Sequence, residues 1–232
     1  MADKHLFFDM DDTLIKCAGY FYDVEDIVAD KLFEYTDKYS FAEIKAMFNA
    51  KQVENIEEHG FGPDNFKFSL MQVGSEIAGY RFFSDDLASF IEKTARVLYD
   101  APLELIDGVE ETLEYLHNKG YEMHIITKGS TKVQTDRVER LPIREYFKSY
   151  YIVKHKLKSD YEEILKECNL SPDNCFMIGN SPKGDINEAK RAGLNTIYIP
   201  NEHTWSPEHE EISEALPKTF KLENISELKN VL

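Results

Sequence analysis

Leu6-Phe7-Phe8-Asp9-Met10-Asp11-Asp12-Thr13-Leu14 is the stretch around which the rest of this 232-residue chain is organised. Three large apolar residues in a row, with no polar alternation, predict a strand buried on both faces of a parallel sheet. The strand ends in three carboxylates, where the chain should emerge at the sheet's C-terminal edge, the edge at which open α/β sheets bind ligands. Side chains two apart on extended backbone point the same way, so Asp9 and Asp11 are expected to face one spot while Met10 points away. Two carboxylates sharing a small site repel each other unless a cation or a proton lies between them. A hard divalent ion with oxygen ligands, Mg²⁺ above all, answers that need. Taken alone, the stretch also reads as an Asp-rich helix N-cap following a strand, so the remainder of the chain has to decide.

From about residue 20 to 99 the pattern is helical. Val24, Ile27, Val28, Leu32 and Phe33 are expected on one face, Phe41, Ile44, Met47 and Phe48 on another. Phe66, Leu70, Val73, Ile77 and Tyr80 form a third stripe, and Leu87, Phe90, Ile91 and Leu98 a fourth. Asp100-Ala101-Pro102 then breaks the pattern, because proline and the residue before it both resist helix. Beyond it, strands alternate with helices. Met123-His124-Ile125-Ile126-Thr127, Tyr150-Tyr151-Ile152-Val153, Cys175-Phe176-Met177-Ile178-Gly179 and Thr196-Ile197-Tyr198-Ile199 read as strands. Helices are expected around Val109–Leu116, 131–140, Tyr161–Cys168 and Ile186–Ala192. Such alternation implies βαβ units. The fold expected is α/β: a Rossmann-like parallel-sheet core from residues 1–16 and 100–232, interrupted by an all-helical insert over residues 17–99.

Composition narrows the function classes. With 27 Lys and Arg against 43 Asp and Glu, the formal net charge is −16. That excess argues against binding nucleic acid or an anionic membrane, but allows a phosphorylated small molecule at a locally positive site. Cys17, Cys168 and Cys175 lack metal-ligand spacing, as expected of reduced thiols, and the scattered histidines offer no zinc pattern. No apolar run reaches membrane-spanning length, and a cytoplasmic location is expected.

The polar residues at the expected strand ends are Asp9 and Asp11, Thr127, then Asn180 and Asp185. Ahead of one helix lies Lys154-His155-Lys156-Leu157-Lys158. Together these supply a carboxylate nucleophile, a second carboxylate, a hydroxyl, an ammonium and oxygen ligands for a metal. Phosphoryl transfer requires those parts, since its catalysis is mostly positioning and charge neutralisation.

In this respect the sequence resembles the haloacid dehalogenase-like hydrolases. Asp9-Met10-Asp11-Asp12-Thr13 matches the family's first motif, and Ile125-Ile126-Thr127 the second. Lys156 is chosen for the third, with Lys154 and Lys158 as alternatives, and Gly179-Asn180-Ser181-Pro182-Lys183-Gly184-Asp185 matches the fourth. The resemblance implies that residues 17–99 are a C1-type helical cap. It implies that Asp9 attacks phosphorus to form an aspartyl-phosphate and that Asp11 serves as general acid and base. Thr127, Lys156, Lys128 and backbone N–H groups of residues 10, 11 and 128 would hold the phosphoryl oxygens. Mg²⁺ would be held by Asp9, Asp11 (through its carbonyl), Asn180 and Asp185. Asn180 departs from the family's usual Asp, removing one negative charge from the metal site. The implied activity is Mg²⁺-dependent hydrolysis of a small phosphomonoester. A phosphotransferase or phosphomutase would use the same intermediate. Dehalogenases lack a carboxylate at the position of Asp11, and a non-catalytic scaffold would be expected to have lost an Asp of the first motif. Lys16, Tyr20, Tyr22 and the His59-Gly60-Phe61-Gly62 loop are candidates for substrate specificity.

Overall fold

The computed structural model describes residues 4–79, 83–215, 217 and 219–232. The chain divides into two compact units, Met1–Ala18 with Leu103–Leu232, and Gly19–Pro102.

The first unit is built on a six-stranded parallel sheet. Its strands are β1 (His5–Phe8), β2 (Glu122–Lys128), β3 (Phe147–Val153), β4 (Cys175–Gly179), β5 (Asn195–Tyr198) and β6 (Thr219–Lys221), in spatial order β3-β2-β1-β4-β5-β6. The parallel α/β core expected from the sequence is therefore present. β1 lies inside the sheet, hydrogen-bonded to β2 on one side and β4 on the other. All four of its residues are buried. Alternation along the strand sends Leu6 and Phe8 into one hydrophobic layer and Phe7 into the opposite one, which is why the segment needs apolar residues without a break. Helices α5 (Val109–Asn118), α6 (Thr131–Glu139) and α7 (Lys158–Glu167) connect or flank these strands. Val109, Leu113 and Leu116 pack with Leu6 and Phe8, while Tyr161, Ile164 and Leu165 pack with Phe7.

Two elements differ from the sequence expectation. The segment read as an ordinary helix after β4 begins as a π-helical turn, Pro182–Glu188. Its Ile186 N–H donates to Ser181 O at 3.2 Å. Only the short Ala189–Arg191 segment continues as α-helix. Single π-turns recur at functional sites because the wider turn re-aims its side chains. Thr219–Lys221, beyond the last strand expected, extends the sheet as its edge strand.

The second unit consists of helices α1 (Ala18–Phe33), α2 (Phe41–His59), α3 (Pro63–Ala78) and α4 (Asp85–Ala95). Val28, Leu32, Ile44, Phe48, Leu70 and Ile91 are fully buried at its centre. Ser40 and Glu43 form a reciprocal capping box that starts α2, as an S-x-x-E pattern dictates. Ile27, Phe33 and Phe41, expected inside, are instead 51%, 51% and 38% exposed. The buried face of α1 instead carries Val24, Glu25, Val28, Ala29 and Leu32, and Glu25 accepts a buried hydrogen bond of 2.8 Å from Gln52 on α2. Tyr80 lies outside the described residues.

Candidate active site

The Asp9 backbone N–H continues the β1–β4 pairing, donating to Ile178 O at 2.9 Å. That bond fixes the first carboxylate at the C-terminal edge of the sheet. Thr13 is buried and lies within reach of two acceptors, Asp9 Oδ2 at 3.0 Å and Asn180 Oδ1 at 3.3 Å. The amide of Asn180 is oriented from its other side as well, where Nδ2 donates to Thr204 Oγ1 at 3.3 Å. The Asn180 carbonyl oxygen thus faces the same Thr13 hydroxyl as Asp9.

Of the three candidate lysines only Lys156 is buried, at 1% exposure; Lys154 and Lys158 are exposed. The Lys156 ammonium contacts Asp9 and donates to Asp185 Oδ1 at 2.7 Å. Its backbone is left-handed, with φ 53°, a conformation costing a non-glycine residue about 1–2 kcal/mol. The other oxygen of Asp185 accepts from the Ser181 N–H at 2.9 Å, so both of its oxygens are engaged. A Cβ on Gly179 would lie 2.3 Å from Asp185 Oδ2, which is why β4 must end in glycine.

Electrostatics follow from this burial. Desolvation, opposed by Lys156 and reinforced by Asp185 and Asp11, pushes the Asp9 carboxyl up to about 7. Burial would also discharge Lys156, but Asp185 and Asp9 hold its ammonium well above the ordinary lysine value.

Asp11 is not drawn to the same cation. Its carboxylate, 26% exposed, is ion-paired with Arg137 (Nη2 to Oδ1, 2.7 Å) and accepts from Gln134 Nε2 at 2.8 Å. The ion pair is close without an N–H aimed at Oδ1. Burial works to raise this carboxyl, but the Arg137 charge and the Gln134 amide hold it below the ordinary carboxylate range. The two carboxylates expected to share one cation therefore each have their own. Met10 points away from both, into the core. Asp12 takes the capping part: its carboxylate accepts from the N–H groups of Cys17 (2.9 Å) and Ala18 (3.1 Å) at the start of α1.

Thr127 is buried at the end of β2, and its hydroxyl lies 2.7 Å from Gln134 Nε2. Lys128, a candidate phosphate contact, is ion-paired with Glu208 at 2.7 Å, and Glu208 accepts from Ser181 Oγ at 2.6 Å. Gln134, Arg137 and Glu208 were not anticipated from the sequence. For the first two a signal existed: α6 has only two apolar residues, Val133 and Val138, so polar side chains had to complete its buried face. For Glu208, in a polar segment beyond the last expected strand, no local signal distinguishes it from its neighbours.

Among the specificity candidates, Lys16 pairs with Glu104 at 3.5 Å with both side chains more than half exposed. Tyr20 packs partly buried against the helical core, and His59 stacks edge-on with Phe68. Among the described residues no cluster of three His, Cys, Asp or Glu forms a metal site. The oxygen donors at the sheet edge are instead the carboxylates of Asp9 and Asp185, the Asn180 amide oxygen and backbone carbonyls. That hard-oxygen set suits Mg²⁺ and not a softer ion. No helix among the described residues is long and apolar enough to cross a membrane.

Residues 6–199 match the model of the haloacid dehalogenase-like hydrolase family. The chain is 24% identical over 203 residues to a glyceraldehyde 3-phosphate phosphatase of Pyrococcus furiosus, covering 84% of this chain and 80% of that protein. It is also 24% identical over 247 residues to the pyrimidine 5'-nucleotidase PynA of Streptococcus pneumoniae, covering 100% and 96%. A crystal structure of a haloacid dehalogenase-like family hydrolase from Xanthomonas campestris superposes with a TM-score of 0.84 at 23% identity, over 99% of this chain and 90% of that one.

Proposed function

The chain belongs to the haloacid dehalogenase-like hydrolases, and on that footing we propose that it hydrolyses a small phosphomonoester through an aspartyl-phosphate on Asp9, with Mg²⁺ bound. The observation that carries this reading is the pair of carboxylates, Asp9 and Asp11, each held by a cation of its own at the C-terminal edge of β1. A dehalogenase has no use for the second. The relatives named for phosphatase and nucleotidase activities support a small phosphorylated metabolite as substrate.

In this reading an Asp9 oxygen attacks phosphorus, the bond from phosphorus to the ester oxygen breaks, and Asp11, having taken the proton that a phosphomonoester monoanion brings in, gives it to the departing alkoxide. Water then attacks the phosphorus of the acyl phosphate and loses a proton to Asp11, so that inorganic phosphate leaves and Asp9 is restored. Lys156, already at Asp9, and the Thr127 hydroxyl neutralise the phosphoryl oxygens. Asp185 holds Lys156 in place. Asp9, the carbonyl of Asp11 and Asn180 would hold Mg²⁺, with Asp185 acting chiefly through Lys156. When bound, the metal supplies the positive charge that lets an anionic substrate approach Asp9. The helical unit would serve as a C1-type cap.

The test is steady-state hydrolysis of phosphorylated metabolites with Mg²⁺, with EDTA, and with Asp9→Asn. We expect turnover that chelator abolishes and Mg²⁺ restores, and a loss of at least about 10³-fold in the variant, the scale of a missing nucleophile. Undiminished activity in chelator would contradict the metal-dependent reading.

A further inference from the structure

Helix α6 buries three side chains, and only Val138 is apolar; the other two are Gln134 and Arg137, at 3% and 9% exposure. A guanidinium withdrawn from water this far is destabilising unless it is paired. Its partner is Asp11. One Arg137 nitrogen lies 2.7 Å from Asp11 Oδ1, while the other donates to Gln134 Oε1 at 3.0 Å. The second contact fixes which way the Gln134 amide points, because the oxygen is committed to Arg137. The amide nitrogen then faces Asp11 Oδ2 at 2.8 Å, Thr127 Oγ1 at 2.7 Å and Lys128 O at 2.9 Å. One amide group therefore touches both the second carboxylate and the hydroxyl at the end of β2. Positions 134 and 137 are neighbours on one helical face, so a single turn of α6 presents both groups.

The other carboxylates of this stretch have different commitments, Asp9 to Lys156 and Asp12 to backbone N–H groups at the start of α1. We propose that Arg137 and Gln134 are positioning residues that aim Asp11 at the leaving-group oxygen of a phosphomonoester and lock it in register with Thr127. The inference rests on the proposed function, in which Asp11 is the general acid. Holding Asp11 Oδ2 and Thr127 Oγ1 on one nitrogen keeps the acid beside the phosphoryl group, so the pairing aims the acid instead of withdrawing it.

The experiment compares ethyl phosphate, whose alkoxide needs a proton to leave, with para-nitrophenyl phosphate, whose phenolate does not. The readout is kcat/KM, which reports events up to departure of the leaving group. Arg137→Met should lower kcat/KM for ethyl phosphate by at least about tenfold, a share of the 10²–10⁴ that a general acid supplies, and leave the aryl ester within about threefold. Arg137→Lys should restore most of the loss. Combined with Asp11→Asn, Arg137→Met should add no further loss on ethyl phosphate, because residues acting as one unit are non-additive. Equal losses on both esters, additivity with Asp11→Asn, or a rise in activity would each overturn the assignment. Should Arg137→Met not fold, Arg137→Gln carries the same comparison with the same expected bias. If Asp11→Asn itself shows no leaving-group bias, the general-acid reading of the proposed function fails, an outcome distinct from a biased Asp11→Asn with an unbiased Arg137→Met.

Discussion

Asp185 Oδ1 lies 2.7 Å from the Lys156 ammonium, and the same ammonium contacts Asp9. Two buried carboxylates thus share one buried lysine, and the carboxylate from the fourth motif sets where the lysine from the third can reach. A buried ion pair gains little over apolar packing, but removing one partner leaves an uncompensated charge. The triad is therefore sensitive at every member.

Lys156→Met should cost about 3–5 kcal/mol of folding stability, the scale of breaking a buried pair, and should abolish hydrolysis. Lys154→Ala and Lys158→Ala, at exposed positions, should shift stability by less than about 1 kcal/mol. Chemical denaturation of the three variants separates them. Comparable effects from all three would remove Lys156 from its special place.

Gly179→Ala should collapse activity while leaving most of the fold. The added methyl would lie 2.3 Å from Asp185 Oδ2 and 2.7 Å from its Cβ, closer than atoms tolerate. Asp185 must move, and Lys156 with it. A crystal structure of the variant showing Asp185 undisplaced would refute this.

Asn180→Asp adds a carboxylate next to Thr13 and Asp9. Titration calorimetry should find tighter Mg²⁺ binding, since hard cations favour charged oxygens. In chelator the variant should melt lower than the parent, because the new charge repels Asp9. Asp185→Asn should raise the Mg²⁺ concentration for half-maximal activity. Unchanged Mg²⁺ affinity in Asn180→Asp would reduce Asn180 to a hydrogen-bonding residue for Thr13 and Thr204.

Acid should destabilise the fold through His124, away from the site. Burial, then the neighbouring His5, lowers its imidazole from 6.5 to about 4. The unfolded chain takes up this proton at ordinary histidine pH and the native protein does not. The contribution is therefore complete above about pH 6.5 and is lost as pH falls toward 4, amounting to about 3 kcal/mol at most. Gln retains a partner for Ser149, which lies 2.7 Å from His124 Nδ1. Stability of His124→Gln measured from pH 7 to 4 should fall less steeply than that of the parent; parallel curves would count against His124.

The features legible in the sequence are those set by local physics. An unbroken apolar run makes β1 a strand buried on both faces, and strand ends bring Asp9, Thr127 and Asn180 to one edge, whatever the details of packing. Lys156 could be ranked above Lys154 and Lys158 through the family resemblance, but its burial depends on Asp9 and Asp185, which lie far away in sequence. The parting of Asp9 from Asp11 was not legible, because it depends on Arg137, whose burial the scarcity of apolar residues on α6 hints at but whose partner lies far away in sequence. Ile27 and Phe33 were misplaced for a related reason: the buried face of α1 includes Glu25, hydrogen-bonded to Gln52, and hydrophobicity alone does not mark a buried carboxylate. Glu208 reaches Lys128 and Ser181 by tertiary contact alone.

The proposed chemistry turns on a covalent intermediate on Asp9. Acid quenching of the Mg²⁺-loaded enzyme during turnover of para-nitrophenyl phosphate, followed by peptide mass spectrometry, tests it most directly. A phosphoryl adduct is expected on the peptide containing Asp9, localised to that residue and absent from Asp9→Asn. An adduct on another residue, or turnover persisting in Asp9→Asn, would contradict it.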